Sequence, residues 1–237
     1  MFVLGGYIAN AETWAKLTDD WQTELDAAPR LAYVKFIEGV KRTPSGAFYR
    51  WKPHDALAKL AKFRAIIEKY DLAAFSLSFR VDHLTETHAA VPKKWLNPYY
   101  SAVVLLIPEL ARALPDLGLP RERLDIIFDE QVMEQGHIMW AWTGVRDVKK
   151  LDPPDILEIL QSPPIWRSDN DVLPLQAADM QATWIRLILE AQRDGRCGTA
   201  MPGFKKPLRQ LRLEVDRDYF EKRAARIAWY AAGGDDG

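Results

Sequence analysis

Two acids, Asp129 and Glu130, follow directly on the run Leu124-Asp125-Ile126-Ile127-Phe128. That run predicts a short strand buried on both faces, and in open α/β sheets the C-terminal ends of buried strands open onto the ligand crevice. At least one of these carboxylates then stands at a sheet edge, where a hard cation such as Mg²⁺ or Mn²⁺ can take it as an oxygen ligand. The plainer alternative is a solvated strand end whose acids cap the next helix. A second pair, Gln176 and Asp179, lies in the strongest helical pattern of the chain, Leu173 to Arg193. At about 100° per residue, Asp179 falls about 120° from the centre of the apolar stripe, with Gln176 and Thr183 nearer its boundary. From that flank a helix packed on a sheet can turn a polar group toward the sheet edge, although flank acids are more often plain surface. Ser168-Asp169-Asn170-Asp171, just upstream, reads as a loop and N-cap.

Two basic segments supply polyanion chemistry. Gly39 to His54 contains no acid and sets Lys41, Arg42, Arg50 and Lys52 around Phe48, Tyr49 and Trp51, which combines charge for phosphates with rings for bases. Arg193, Arg196, Lys205, Lys206, Arg209 and Arg212 form a second run, read as a loop and broken only by Asp194. Either run is equally at home as solvated surface. Other chemistry is poorly served. His83 and His88 are spaced for neither a zinc helix nor a paired finger, while His54 and His137 stand alone. No G-x-x-x-x-G-K-S/T, G-x-G-x-x-G or G-x-S-x-G occurs, which argues against P-loop, dinucleotide and hydrolase-elbow chemistry. Cys197 sits in a basic loop with no assignable base; as the sole cysteine it makes no internal disulfide and points to a reducing cytoplasm.

The elements that must carry these groups follow from periodicity. Residues 2 to 9 read as a strand whose Gly5-Gly6 pair bends or admits another backbone. Asn10 should cap a helix with Trp14, Leu17, Trp21 and Leu25 on its buried stripe, ended by Pro29. Leu31 to Val40 alternates loosely, as a strand would, and Thr43-Pro44-Ser45-Gly46 marks a turn. A helix through Leu57, Leu60 and Ile67 precedes a strand at Leu72 to Phe79; Pro98 to Leu114 is helical, with Pro108 forcing a kink or break. His137 to Val145 fits strand or helix, Ile165 to Ser168 a short strand, and Val215 to Ala231 a final amphipathic helix. Alternating strands and helices without a Pro/Gly/Ser linker predict one α/β domain over residues 1–232, with 233–237 a frayed tail.

Composition bounds the reading. With 237 residues, 48% of them hydrophobic, the chain can build a substantial core. The 32 Lys plus Arg against 33 Asp plus Glu exclude a grip on polyanions through bulk charge, so nucleic-acid contact has to be local. The start lacks a basic n-region, and the longest apolar window, Ala102 to Ile107, stops at Pro108-Glu109. A soluble cytoplasmic protein without membrane contact is expected.

Taken in order, Phe2-Val3-Leu4-Gly5-Gly6-Tyr7-Ile8, Trp14 and Trp21, Ile127-Phe128-Asp129-Glu130-Gln131, Ser168, and Leu175-Gln176-Ala177-Ala178-Asp179 resemble the domain-of-unknown-function 3800 family over residues 2 to 190. The resemblance implies an RNase H-like α/β fold, a mixed sheet flanked by helices, with a carboxylate site. Asp129 would match the acid ending the fourth or fifth strand, and Asp179 the acid on the late helix. Members usually begin with a strand bearing an Asp-Glu-Ser-Gly-like motif ahead of the Phe-Val-Leu-Gly-Gly strand. No such motif precedes Phe2 in this sequence, which implies weakened metal affinity and a sheet edge left partly unpaired.

The first functional expectation is therefore a phosphodiesterase or nuclease dependent on Mg²⁺ or Mn²⁺. Asp129 and Asp179 are its metal ligands, Glu130 a third ligand or outer base, Gln176 an orienting group, and Lys35 or Arg50 a contact to the scissile strand. The second is a nucleic-acid-binding accessory protein that keeps the fold without turnover, and a third is a hydrolase of small phosphorylated molecules.

Overall fold

The computed structural model describes residues 1–86, 93–130, 133–146, 156–196 and 208–231. It is a mixed α/β structure in which helices cover both faces of a small mixed sheet. Strand β1 (Phe2–Ile8) leads through the Asn10 cap, whose side chain accepts from the Thr13 N–H at 2.8 Å, into α1 (Ala11–Asp26). After α2 (Phe36–Lys41) and α3 (Pro53–Lys69), β2 (Ala73–Phe79) pairs antiparallel to β1, with Gly5 opposite Ser76. Then come α4 (Val81–Glu86), α5 (Pro98–Ala113), β3 (Ile127–Asp129), α6 (Gln135–Arg146), α7 (Ile156–Ile159), β4 (Ile165–Arg167), α8 (Pro174–Arg193), β5 (Arg209–Val215) and α9 (Arg217–Ala231). β5 lies parallel to β2 on its other side, giving the order β1-β2-β5, and β3 and β4 form a separate parallel pair.

Alternation along β1 sorts its side chains between two cores. Tyr7 faces a cluster built by Leu17, Trp21 and Leu25 of α1, Phe63 and Ile67 of α3, and Met180 and Trp184 of α8. Leu4 and Ile8 face the other way, onto Tyr100, Val103 and Ile107 of α5, Ile138 and Trp142 of α6, and the Phe128 and Trp166 rings of the small sheet. A third cluster joins Leu77 and Phe79 of β2 to Leu106 of α5 and Phe220 of α9. Gly6 leaves room for the Phe75 ring of β2, which a Cβ there would approach to 2.7 Å, while a Cβ at Gly5 would stand at ordinary contact distance, 3.6 Å from the Ala182 Cα of α8.

Four expectations change. Residues 36–41 form a helix rather than part of a strand, because Phe36 and Gly39 bury one face at helical spacing, with Leu60 seated where a Gly39 side chain would project. β3 is not buried on both faces: Ile127 is 42% exposed, since among the described residues β3 pairs only with β4. Residues 209–212, expected in a basic loop, belong to β5, and Leu211, Leu213 and Val215 supply the period-two stripe packed on Phe79 and Phe220. Of the kink or break expected at Pro108, the break does not occur, because α5 continues through that residue. The ambiguous 137–145 segment is helical. Cys197, Lys205, Lys206, His88 and the 233–237 tail lie outside the described residues. Among those residues no helix is long and apolar enough to cross a membrane.

Candidate functional site

The end of β3, the turn after β4, the second turn of α8 and the residue preceding α2 meet at one place. Parallel pairing sets Asp129 opposite Arg167, and the Glu130 N–H extends the ladder by donating to the Arg167 carbonyl at 2.9 Å. The two strands therefore end side by side. Beyond β4, the N–H groups of Asp171 and Val172 both donate to the Ser168 carbonyl at 3.0 Å, closing a turn that leaves Asp169 only 8% exposed. Helix α8 starts after this turn without a side-chain cap, so Asp169 does not serve as the N-cap expected of it. Asp179 projects from α8 into the same space, and Lys35 reaches it from the segment leading into α2, its Nζ 3.7 Å from Asp169 Oδ2.

Gln176 holds this arrangement. Its side chain is fully buried and spans three segments: Oε1 accepts from Trp21 Nε1 and from the Val34 N–H, each at 3.0 Å, while Nε2 donates to the Asp169 carbonyl at 2.8 Å. One amide thus ties α1, the strand-like lead into Lys35 and the Asp169 turn to α8. Expected to orient a carboxylate or phosphate, Gln176 has its amide committed within the fold, to Trp21, the Val34 N–H and the carbonyl of Asp169.

The electrostatics are those of crowded carboxylates around a cation. Burial and then repulsion from Asp169 raise the Asp129 pKa, offset in part by the Glu130 and Asp169 N–H groups and by Lys35. Burial likewise raises that of Asp179, against a hydrogen bond from the Phe36 N–H and the pull of Lys35, with Asp169 and Asp129 adding repulsion. Burial alone pulls the Lys35 ammonium down, but Asp169, Asp179, Asp129 and Glu38 together outweigh it and leave its pKa raised. Lys35 therefore stays charged at neutral pH. Asp179 Oδ2 is buried with no hydrogen-bond partner, a costly state for an ionised group.

Glu130 follows Asp129 at the strand end with its side chain exposed. Arg50 lies over the Tyr49 ring at 5.7 Å and lines a cleft to which none of the four clustered residues contributes. Sequence reasoning missed Asp169. Its signal was positional, an acid just past a short strand, as Asp129 is at the end of another.

In kind, three carboxylates with one uncommitted buried oxygen suit a hard divalent ion. In placement they are not a finished cage: among the described residues no group of three or more His, Cys, Asp or Glu stands close enough together to hold a metal. No protein-family model, curated protein or solved structure matches the chain.

Proposed function

We propose that this protein hydrolyses phosphodiester bonds in nucleic acid with the help of Mg²⁺ or Mn²⁺, as a nuclease of RNase H-like type. The observation that carries the reading is the convergence of Asp129, Asp169 and Asp179 on Lys35, with one Asp179 oxygen buried and unpartnered. Asp129 and Asp179 are the residues that would hold the ion, which when bound supplies Lewis acidity and a water of lowered pKa. Lys35, charged and 44% exposed at its side chain, is placed to meet a non-bridging phosphate oxygen. Asp169 keeps that ammonium aimed into the site. Gln176 keeps Asp169 and Lys35 in register with α8.

The test is incubation of the purified protein with end-labelled RNA and DNA, with and without Mg²⁺ or Mn²⁺. Cation-dependent cleavage is expected, reduced about 100-fold or more in Asp129→Asn and Asp179→Asn proteins that remain folded. A second reading, a nucleic-acid-binding protein without turnover, is favoured by one observation: Lys35 already supplies compensating charge where three clustered ligands for an ion are wanting. Intact substrate under both ions, from a folded protein that binds it, decides for this second reading.

A further inference from the structure

Away from the carboxylates, a cleft of about 550 Å³ opens between the turn at Pro29, the segment 50–52 and the outer face of α3. Four cations line it, Arg50, Lys52, Lys59 and Lys62, with Asp55 the one acid in the lining. Lys59 is committed to the fold: its ammonium is 2.5 Å from the Glu24 carbonyl, 2.9 Å from the Ala27 carbonyl and 2.8 Å from Glu24 Oε1. Lys62 shares that Glu24 carboxylate at 3.4 Å but keeps a side chain 56% exposed, and the Arg50 and Lys52 side chains are exposed. Trp51 is anchored edge-on against the buried Phe48 ring, centroids 5.0 Å apart, and contributes its half-buried indole to the cleft. Its backbone is pinned as well, since Arg42 Nη1 donates to the Trp51 carbonyl at 3.3 Å.

The chemistry of this cleft is one anchored, partly exposed tryptophan bordered by three cations whose side chains are exposed. A phosphate alone would use the cations and leave the indole idle. An apolar ligand would use the indole and leave the cations undischarged. A nucleotide unit uses both, with its base on the ring and its flanking phosphates on the cations, and the volume lies in the range of sites for ligands of that size. We infer that this cleft binds one nucleotide of a single-stranded nucleic acid, the base stacking on Trp51 and the adjacent phosphates meeting Arg50, Lys52 and Lys62. The inference stands whether or not the carboxylate cluster cleaves anything.

Fluorescence anisotropy of a labelled single-stranded oligonucleotide, titrated with the full chain at several salt concentrations and without divalent ions, tests it. Binding is expected with a log–log salt slope of about −1.4, since each of the two phosphates flanking one nucleotide on a single strand contributes about 0.7. Arg50→Glu combined with Lys52→Glu, both at exposed positions, should abolish most of the affinity and flatten that slope. Trp51→Leu should weaken binding about tenfold or more while leaving the slope unchanged. Lys16→Gln, at an exposed position on α1 outside both the cleft and the carboxylate cluster, should bind as the parent does, and because no divalent ion is present the assay reads the cleft without cleavage, so a failed nuclease reading and a failed cleft are separately visible. The inference is overturned if the charge-reversed protein binds like the parent, if the duplex binds as tightly as the single strand, or if inorganic phosphate at low millimolar concentration competes the oligonucleotide away. Should Trp51→Leu unfold the protein, the charge-reversed variant and the duplex comparison still decide.

Discussion

Two lysines stand beside acids in this protein, and they are handled in opposite ways. Lys59 is 3% exposed, and three oxygens, two of them backbone carbonyls closing the C-terminal end of α1, lie within 2.9 Å of its three-donor ammonium. Lys35 is half-exposed, its nearest carboxylate oxygen is 3.7 Å away, and it faces three aspartates of which one keeps a buried unpartnered oxygen. In the first region the ammonium donates to two carbonyls and pairs with Glu24, whose Oε1 meets it as an ion pair rather than a hydrogen bond, and this fixes α1 to α3. In the second the polar groups are held in place yet left short of partners, so their unspent capacity points at something from outside. Strain of this kind at a site, offset by saturation elsewhere, is the usual division between binding and scaffolding.

The largest effect should separate the two lysines. Lys59→Met strips the Glu24 and Ala27 carbonyls of their buried donor and leaves the Glu24 carboxylate to the more distant Lys62, and should cost about 3 kcal/mol in urea unfolding, whereas Lys35→Met should cost about 1 kcal/mol or less. Equal costs would erase the distinction. Gln176→Leu should come next, at about 3 kcal/mol, because it strands the Trp21 indole N–H, the Val34 N–H and the Asp169 carbonyl in the interior. A Gln176→Leu protein that unfolds like the parent would mean that the hub carries no load.

Asp179→Asn is the informative reversal. Burial disfavours the ionised carboxylate, so its folded-state pKa lies above the ordinary value near 4 and the parent loses stability as pH rises through that raised value. Removing the charge should therefore stabilise the protein by about 1 kcal/mol at pH 7. The gain should fade as pH falls from that raised value toward the ordinary one and be absent below about 4, where both proteins carry a neutral side chain in either state. Thermal unfolding followed across pH 3 to 8 reads this, and a gain independent of pH would place the cause in packing rather than charge. The smallest effect is local: Asn10→Ala should cost about 1 kcal/mol through loss of the α1 cap and leave both lysine regions untouched.

How much of this was legible in the sequence depends on whether the signal was local. Helices α1, α3 and α8 announce themselves because their apolar residues recur every three or four positions, and Asn10 and Pro29 bracket the first. Strand β5 carried a period-two signal in Leu211, Leu213 and Val215, masked by Gln210, Arg212 and Glu214 alternating with it. The six residues of α2 are too few for periodicity to tell them from a strand. Asp129 and Asp179 could be named from a strand end and a helix flank. The partners of Gln176 could not, because Trp21 and Val34 lie 155 and 142 residues away and only the tertiary fold brings them to its amide. Asp169 was passed over for the same reason: a short acidic turn before a helix looks like a cap until the neighbouring strand ends beside it.

Manganese binding followed by electron paramagnetic resonance tests the carboxylate cluster most directly. One saturable Mn²⁺ per chain is expected, displaced by Mg²⁺ and lost in Asp129→Asn and in Asp179→Asn proteins whose unfolding remains cooperative. No saturable site in the folded parent, or one that survives both substitutions, would contradict the account and leave Lys35 as the cluster's only counter-charge.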